Sequence, residues 1–573
     1  MRSAASIKKK RTKNVRHSGL PLLLLMAATL AAACDARQTP QATISVDAAL
    51  DLITVERLAA HVDYLASDAL AGRKPGKQGY DLAANYVAEQ FESMGVAAGG
   101  SEGWNQPVAL RRFKLEGAGA TLIIHRDGAD RALKYRDDFS MNADPSREAS
   151  EVRAPVVYVG RGVHAPEFGY SDYDGVDVRG KIVAHFEGIP SVIEGDAGFY
   201  YRSTSNKVKE AVARGAVGII YLTSQKEEER DPWEEAKARF GKNPSTRWVN
   251  ASGQAAHSYT EIVASAWLNV PNSEALFAAS PLSYEEAHAA MLADTPSSMA
   301  LGVELSLAQR SEHSTITSPN VIGLVRGSDP ELSREYVVYT AHLDHIGVSD
   351  DEEKENRTYN GMYDNAMGVA LMLETARAIA ANPPRRSVLF IALTAEESGL
   401  LGSDFFVNNP TVPQESIVAN INLDMPLFLF PLADLVAFGS QHSSLQQVVE
   451  AAANDEGFVF SPDPMPEENL FVRSDQYSFV RNGIPGIFLV SGFNSSDADI
   501  ESEALYRDHL KSHYHQTSDD LTRPVHWPSA LRFARAHTRM GFIISNADER
   551  PTWNEDSFYG RLFAARPQVR GDK

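Results

Sequence analysis

From about residue 318 onward, short apolar runs alternate with helical segments, and this alternation constrains the fold more than any other feature of the chain. Segment 365–381, for example, has the apolar spacing of a helix. Strand–helix alternation predicts an α/β fold with a mixed, largely parallel sheet flanked by helices. The predicted strands are NVIGLV, EYVVYTA, SVLFIALTA, SIVANINLD, ADLVAFG and GIPGIFLVSG.

Three of these predicted strands run into histidine or acidic residues. EYVVYTA leads to His342 and Asp344, SVLFIALTA leads to Glu396 and Glu397, and SIVANINL leads to Asp424. Ligands of open α/β sheets bind outside the carboxyl ends of strands, so we expect these side chains to converge on one crevice.

Asp364, before a predicted helix, and His515, late in the chain, complete a candidate metal site. Each residue alone has an ordinary explanation, such as a helix cap for Asp364. Together, two neutral imidazoles and three carboxylates with a bridging hydroxide would balance two zinc ions, and zinc accepts this mixture of ligands. The expected metal ligands are His342, Asp364, Glu397, Asp424 and His515.

Two further acids of the candidate site have predicted roles outside the ligand set. Asp344 is placed two residues after His342, where it could accept the second ring N–H of that ligand. Of the adjacent acids, Glu397 is the expected ligand, and Glu396 is left as general base for the attacking water.

The motifs AHLDHIG, GMYDNAMG, TAEESGLLGS, NINLDMP and YHQTSDD resemble, in order, those of the co-catalytic zinc aminopeptidases of peptidase family M28. The resemblance implies a zinc exopeptidase fold, two zinc ions and peptide substrates. It makes Asp364 the bridging ligand and Glu396 the base, and its tyrosine–histidine pattern selects His515 over His509 and His513.

The similarity continues upstream of these motifs. DYLASDALAGRKPGKQGYDLAANYVAEQF resembles the N-terminal segment of the family, and GYSDYDGVDVRGKIVAHFEG resembles the β-rich protease-associated domain that is often inserted in its members. We therefore predict a discontinuous catalytic domain, 51–150 and 310–560, interrupted by a protease-associated domain at 151–309.

One segment departs from the family pattern. RSDQYSF carries Gln476 where relatives often have histidine, in a region that shapes the substrate pocket of the family. Arg473, Asp475 and Gln476 are the predicted substrate-binding residues, and the preferred substrate side chain stays open.

The N-terminus has the composition of an export signal. Seven basic side chains precede the apolar run LPLLLLMAATLAAAC, which is too short to span a bilayer. This segment resembles a bacterial lipoprotein signal, which predicts a signal peptide at 1–33, lipid attachment at Cys34, a tether over 34–50 and a periplasmic, membrane-anchored protein. Leu30 lies four residues before Cys34, where such signals usually place it three before, and plain cleavage near 31–33 is the alternative.

Charge excludes one class of partner. The chain has a net charge of −20, and loss of the seven positive charges in 1–33 would make it −27 (−20 − 7). A chain this acidic is a poor nucleic-acid binder. The oligomeric state is not indicated.

The leading functional hypothesis is a two-zinc aminopeptidase. A carboxypeptidase of the same fold is the first alternative, for which Arg473 is the nearby cation that could bind a terminal carboxylate. A single-zinc glutaminyl cyclase and a non-catalytic binding protein are the others, and zinc stoichiometry separates them. A serine hydrolase is a poor fit because the sequence has no G-x-S-x-G.

Overall fold

The protein is described by a computed structural model over residues 44–564. Its strands are β1 (Ala97–Ala98), β2 (Asn105–Leu115), β3 (Thr121–Arg126), β4 (Ala129–Ala132), β5 (Phe139–Met141), β6 (Ala149–Tyr158), β7 (His164–Ala165), β8 (Tyr170–Ser171), β9 (Ile182–Phe186), β10 (Gly218–Leu222), β11 (Ser245–Trp248), β12 (Ala264–Leu268), β13 (Met299–Val325), β14 (Tyr336–His342), β15 (Gly347–Val348), β16 (Thr358–Tyr359), β17 (Ser387–Leu393), β18 (Ile417–Leu423), β19 (Asp434–Phe438), β20 (Val459–Ser461) and β21 (Gly486–Ser491).

The α-helices are α1 (Val46–Leu50), α2 (Val55–Leu65), α3 (Gln78–Ser93), α4 (Gly195–Arg202), α5 (Thr204–Ala213), α6 (Gln225–Arg230), α7 (Trp233–Ala236), α8 (Val270–Leu276), α9 (Tyr284–Leu292), α10 (Met367–Ala381), α11 (Leu401–Asn408), α12 (Leu445–Asp455), α13 (Gln476–Arg481), α14 (Ser502–Ser512), α15 (Trp527–Asn546) and α16 (Phe558–Ala564). None of the helices among the described residues is both long enough and apolar enough to cross a membrane.

The first sheet has the strand order β11-β2-β13-β17-β14-β18-β21-β19-β20. Its four central strands, β17, β14, β18 and β21, are parallel to one another, and antiparallel strands flank them. Helices cover both faces, because α2, α10 and α15 contribute to the core on one face, and Phe406 and Phe479 pack on the other. This arrangement confirms the predicted α/β fold with a mixed, largely parallel sheet.

The second sheet has the strand order β4-β3-β13-β6-β9-β10-β12-β5. It shares the 27-residue strand β13 with the first sheet and has its own cores, one packed under α8 and α9 and one under α5. Strands β3 to β5 already belong to this sheet, so the sheets divide before residue 121. The predicted domain boundary at 151 therefore does not coincide with the division between the sheets.

The signal peptide, Cys34 and the first part of the predicted tether lie outside the described residues. The end of that tether needs correction, because residues 46–50 form α1. Ala49 and Leu50 of this helix are buried, and Asp47 pairs with Arg539 of α15 at 2.9 Å. Two buried apolar side chains make a packed helix more stable than an extended tether at this point.

Candidate metal centre

The parallel strands bring the predicted site residues to one edge of the first sheet. His342 is the last residue of β14, Asp424 follows β18 directly, and Glu396 and Glu397 follow β17 after two intervening residues. The carboxyl ends of neighbouring parallel strands lie side by side, which is why residues 82 positions apart in the chain, such as His342 and Asp424, can meet.

Three non-glycine residues of the site region have a left-handed backbone conformation. Ala395, Met425 and His515 adopt left-handed φ angles of 54°, 43° and 56°, and each is next to or identical with a predicted site residue. Non-glycine residues adopt this region at a cost of about 1–3 kcal/mol, and such residues cluster at functional sites.

Asp364 lies in the irregular turn at 362–366 that leads into α10, and two side chains hold this turn. The Asp519 carboxylate accepts hydrogen bonds from the backbone N–H groups of Tyr363 and Asp364, at 3.1 and 3.0 Å. The Asn365 amide donates to the Leu423 carbonyl at the end of β18, at 2.9 Å. Asp519 belongs to YHQTSDD, but its supporting role was not predicted because nothing local in the sequence indicates which backbone it will meet.

The first group of side chains that could hold a metal ion consists of His342, Asp364 and Asp424, all buried. His342 Nε2 lies 3.1 Å from Asp364 Oδ1 and 3.1 Å from Asp424 Oδ1. Ser474 holds the other oxygen of Asp424 through a 2.5 Å hydrogen bond from its hydroxyl.

The second group consists of His345, Asp364 and Glu397, so Asp364 is common to both. His345 Nδ1 lies 2.6 Å from Glu397 Oε1 and 3.8 Å from Asp364 Oδ2. His515 Nε2 reaches the same two carboxylates, at 3.0 Å from Glu397 Oε2 and 3.1 Å from Asp364 Oδ2. The structure thus brings all five expected ligands together and adds His345, which was not predicted.

The charges of these groups are strongly coupled. Burial lowers the pKa of His342, but the carboxylates of Asp424, Glu396 and Asp364 outweigh burial and raise that pKa well above its ordinary value. Burial also lowers the pKa of His515, but Asp364 and Glu397 outweigh burial and raise that pKa to about 10. Burial raises the pKa of Asp364, yet the three histidines around it lower that pKa well below its ordinary value.

These residues fit zinc. Donor atoms of each group lie within 4.8 Å of one another, and the set is the imidazole and carboxylate mixture that zinc accepts. Asp364 Oδ2 is buried and accepts no hydrogen bond of good geometry, which leaves it available to a cation. Buried carboxylates in this number require positive charge, which protonated histidines or a bound metal ion can supply.

A comparison with known protein families finds a match for the segment that carries this centre. Residues 320–540 match the sequence model of peptidase family M28. The match covers less than half of the chain, and we refer to the matched segment as the M28 domain. Every proposed ligand, from His342 to His515, lies within it.

Individual relatives match shorter stretches. Aminopeptidase YwaD of Bacillus subtilis is 35% identical over 111 residues, which are 19% of this chain and 22% of that protein. The probable leucine aminopeptidase 2 of Aspergillus fumigatus is 24% identical over 215 residues, 36% of this chain and 40% of that protein. The match therefore spans less than half the length of either relative.

Among solved structures, the aminopeptidase from Aneurinibacillus sp. strain AM-1 covers 88% of this chain and 97% of its own, with 19% identity and a TM-score of 0.48.

Within the M28 domain, Asp344 accepts the second ring N–H of His342, as predicted, and it does so through its backbone. His342 Nδ1 lies 3.1 Å from the backbone oxygen of Asp344, so the carbonyl, and not the carboxylate, accepts the ring N–H. The carboxylate turns instead to the Glu396 backbone N–H, at 3.0 Å. Burial raises the pKa of Asp344 to about 7, and the nearby Glu397 carboxylate adds to this rise.

A cavity of about 320 Å³ opens beside the first metal group, and we call it the pocket. Glu396 lines it, whereas Glu397 faces the histidines. Burial raises the pKa of Glu396 well above its ordinary value, and the Asp424, Glu397 and Asp475 carboxylates raise it further. The apolar lining comes from Met425, Met465, Leu470, Phe488 and Leu510, and the charged lining includes Glu468, Arg473, Arg507 and Lys511.

The three predicted substrate-binding residues separate in the structure. Arg473 lines the pocket and pairs with Glu468 at 3.5 Å. Asp475 and Gln476 are fully buried behind it, and neither lines the pocket. Gln476 bonds to the Phe471 carbonyl and to Asn422, so it supports the pocket wall and has no surface to offer a substrate.

Proposed function

We propose that the protein is a zinc-dependent aminopeptidase that hydrolyses the N-terminal peptide bond of peptides. The observation that carries the proposal is that two donor groups share Asp364 beside a pocket lined by Glu396. His342 and Asp424 would hold one zinc ion, Glu397 and His515 a second, and Asp364 would bridge them. The family match and the named aminopeptidases among the relatives support this class of reaction.

Zinc bound by these residues would polarise a peptide carbonyl and lower the pKa of water. Glu396 takes a proton from the attacking water as the new C–O bond forms. It then gives that proton to the amine nitrogen as the C–N bond breaks. A raised carboxyl pKa suits this exchange, because a general base works best when its pKa lies near the operating pH. The neighbouring Asp344 fixes the Glu396 backbone and orients His342.

Three cations of the pocket favour a second candidate, a carboxypeptidase. Arg473, Arg507 and Lys511 could bind a terminal carboxylate, although Arg473 and Arg507 already pair with Glu468 and Glu503. The aminopeptidase is preferred because the named relatives are aminopeptidases.

A peptide panel separates these candidates. Each peptide is offered to the zinc-loaded protein with its N-terminus free or acetylated and with its C-terminus free or amidated, and products are followed by mass spectrometry. We expect stepwise loss from free N-termini, whatever the state of the C-terminus. Trimming that needs a free C-terminus would establish the carboxypeptidase. Absence of cleavage with two zinc ions bound would reject both and leave a binding protein, and one zinc ion per chain would favour the cyclase.

Export and lipid attachment at Cys34 form a separate part of the proposal, which the signal-like N-terminal segment supports. In cells making the full chain, Cys34→Ser is expected to move the mature protein from the membrane to the soluble fraction. An unchanged fractionation, measured by immunoblot of washed membranes, would reject the anchor.

A further inference from the structure

Arg73 is a buried arginine of the N-terminal segment, far in sequence from the M28 domain. Its side chain is 1% exposed, and it lies in the loop between α2 and α3. The guanidinium donates four hydrogen bonds of 2.5 to 3.0 Å, and every acceptor is a backbone carbonyl. These carbonyls belong to Leu65, Leu343, Asn360 and Gly361.

Three of the four acceptors lie in the loops that present the metal ligands. Leu343 follows His342 directly, and Asn360 and Gly361 lie three to four residues before Asp364. One side chain therefore ties the end of β14 to the turn before α10. Without it, carbonyls of two separate loops would lose their hydrogen-bond donor in a buried place, which is unfavourable.

The loop that carries Arg73 is shaped for this position. Ala71, Gly72 and Arg73 all adopt left-handed φ angles, of 45°, 64° and 49°. Gly72 packs against the carbonyl oxygens of Tyr359 and Gly347 so closely that a side chain there would collide with backbone. Strain of this kind persists only where the surrounding structure determines the conformation.

The charge of Arg73 matters as well as its hydrogen bonds. Burial lowers its pKa to about 10, against the raising effect of the nearby Asp364, Asp519 and Asp344 carboxylates, so it stays protonated at neutral pH. None of its hydrogen bonds goes to a carboxylate. Its positive charge therefore stabilises the nearby carboxylates of Asp364, Asp519 and Asp344 without pairing with one of them.

We infer that Arg73 is a positioning residue of the metal centre, which fixes the spacing between His342 and Asp364. This inference rests on the proposed zinc site. It requires that loss of the guanidinium weakens zinc binding even when the chain stays folded, because the two ligand loops are then free to separate.

The test compares Arg73→Met and Arg73→Lys with Arg386→Met in the full chain. Arg386 is equally buried and also donates to backbone carbonyls, those of Ile544 and Ala547, but it belongs to the other end of the sheet. Zinc affinity is measured by competition with a chromogenic chelator, and folding by circular dichroism of the metal-free proteins.

We expect Arg73→Met to weaken zinc binding about 10- to 100-fold, as losses of supporting contacts around metal ligands do. Arg73→Lys keeps the charge but at most three donors, and we expect an intermediate loss. Arg386→Met should lower the melting temperature without changing zinc affinity. A folded Arg73→Met with unchanged affinity would overturn the inference; if that variant does not fold, unchanged affinity in Arg73→Lys would do so.

Failure of the Arg73 inference can be distinguished from failure of the proposed peptidase function. A wild-type protein that binds zinc without cleaving peptides would refute the peptidase, while the affinity comparison would still decide the role of Arg73. A wild-type protein that binds no zinc would refute both.

Discussion

Glu396 and Glu397 are adjacent in the chain, yet their side chains meet different surroundings. Glu397 lies between His345 and His515, whereas Glu396 lines the pocket. We therefore expect Glu396→Gln to keep zinc and to lose about two to four orders of magnitude in kcat, the usual contribution of a general base. Steady-state kinetics with metal analysis of the same sample tests this, and comparable activity would remove Glu396 as the base.

Asp364 is the one residue common to both donor groups, so its removal should disturb both. We expect Asp364→Ala to lose at least one zinc ion per chain, measured by elemental analysis after gel filtration. Asp434→Asn is the matched control, because Asp434 is equally buried but bonds to Asn494 away from the centre. Full zinc content in Asp364→Ala would contradict the bridging role.

Three of the proposed ligands, His342, Glu397 and Asp424, were predictable because they lie at or just after strand ends, where chemistry and position coincide. His345 was missed, since the second histidine of AHLDHIG has the same local pattern as a buried structural histidine. The atom of Asp344 that meets His342 could not be predicted, because sequence spacing specifies a residue and not whether its carbonyl or its carboxylate will turn inward. Asp475 and Gln476 were predicted to bind substrate only because they lie in the RSDQYSF segment, and sequence does not show which side chains of a segment face a pocket.

At the scale of elements, the central strands β14, β17 and β18 were predictable because each is a mostly apolar run buried on both faces. Strand β13 was recognised only at its end, NVIGLV. Its preceding residues alternate between buried and exposed positions, and they pair with β3 and β6 and then with β2. Local pattern gives the alternation but not the partners, so the extent of the second sheet could not be inferred from it.

The close packing of α15 on β14 predicts that a side chain at residue 541 destabilises the fold. A side chain at Gly541 of α15 would collide with the Tyr339 hydroxyl and come within 3.0 Å of its ring. Helix propensity alone predicts that Gly→Ala stabilises by about 1 kcal/mol. Because overpacking costs about 1–3 kcal/mol, we expect Gly541→Ala to lower the free energy of unfolding, measured by urea denaturation.

A double-mutant cycle tests the cause of that loss. In a Tyr339→Phe background the colliding oxygen is absent, so Gly541→Ala should cost less or become stabilising. Equal costs in the two backgrounds would show that the hydroxyl contact is not what excludes a side chain at residue 541.

For the whole molecule, burial of neutral histidines couples folding to pH. Burial lowers the pKa of His537 in α15 and of His185 in β9 to about 3, since charging an imidazole without water is unfavourable. His537 Nδ1 bonds to Thr375 at 3.1 Å, and its Nε2 is buried without a partner. The unfolded chain, with ordinary histidines, binds more protons than the folded one between pH 6.5 and 3.

The free energy of unfolding should therefore fall as pH falls from 6.5, by up to about 1.4 kcal/mol per pH unit for each such histidine. His537→Asn keeps a polar group near Thr375. In this variant the free energy of unfolding should fall less steeply with falling pH than in the wild type, by the contribution of one histidine. Both proteins are unfolded in urea between pH 7 and 4.5 after metal removal, so that zinc release does not contribute and the titrations of the metal centre cancel in the difference. If the free energy of unfolding had the same pH dependence in both proteins, His537 would be protonated in the folded chain as readily as in the unfolded one. That result would mean that water reaches the buried His537 side chain.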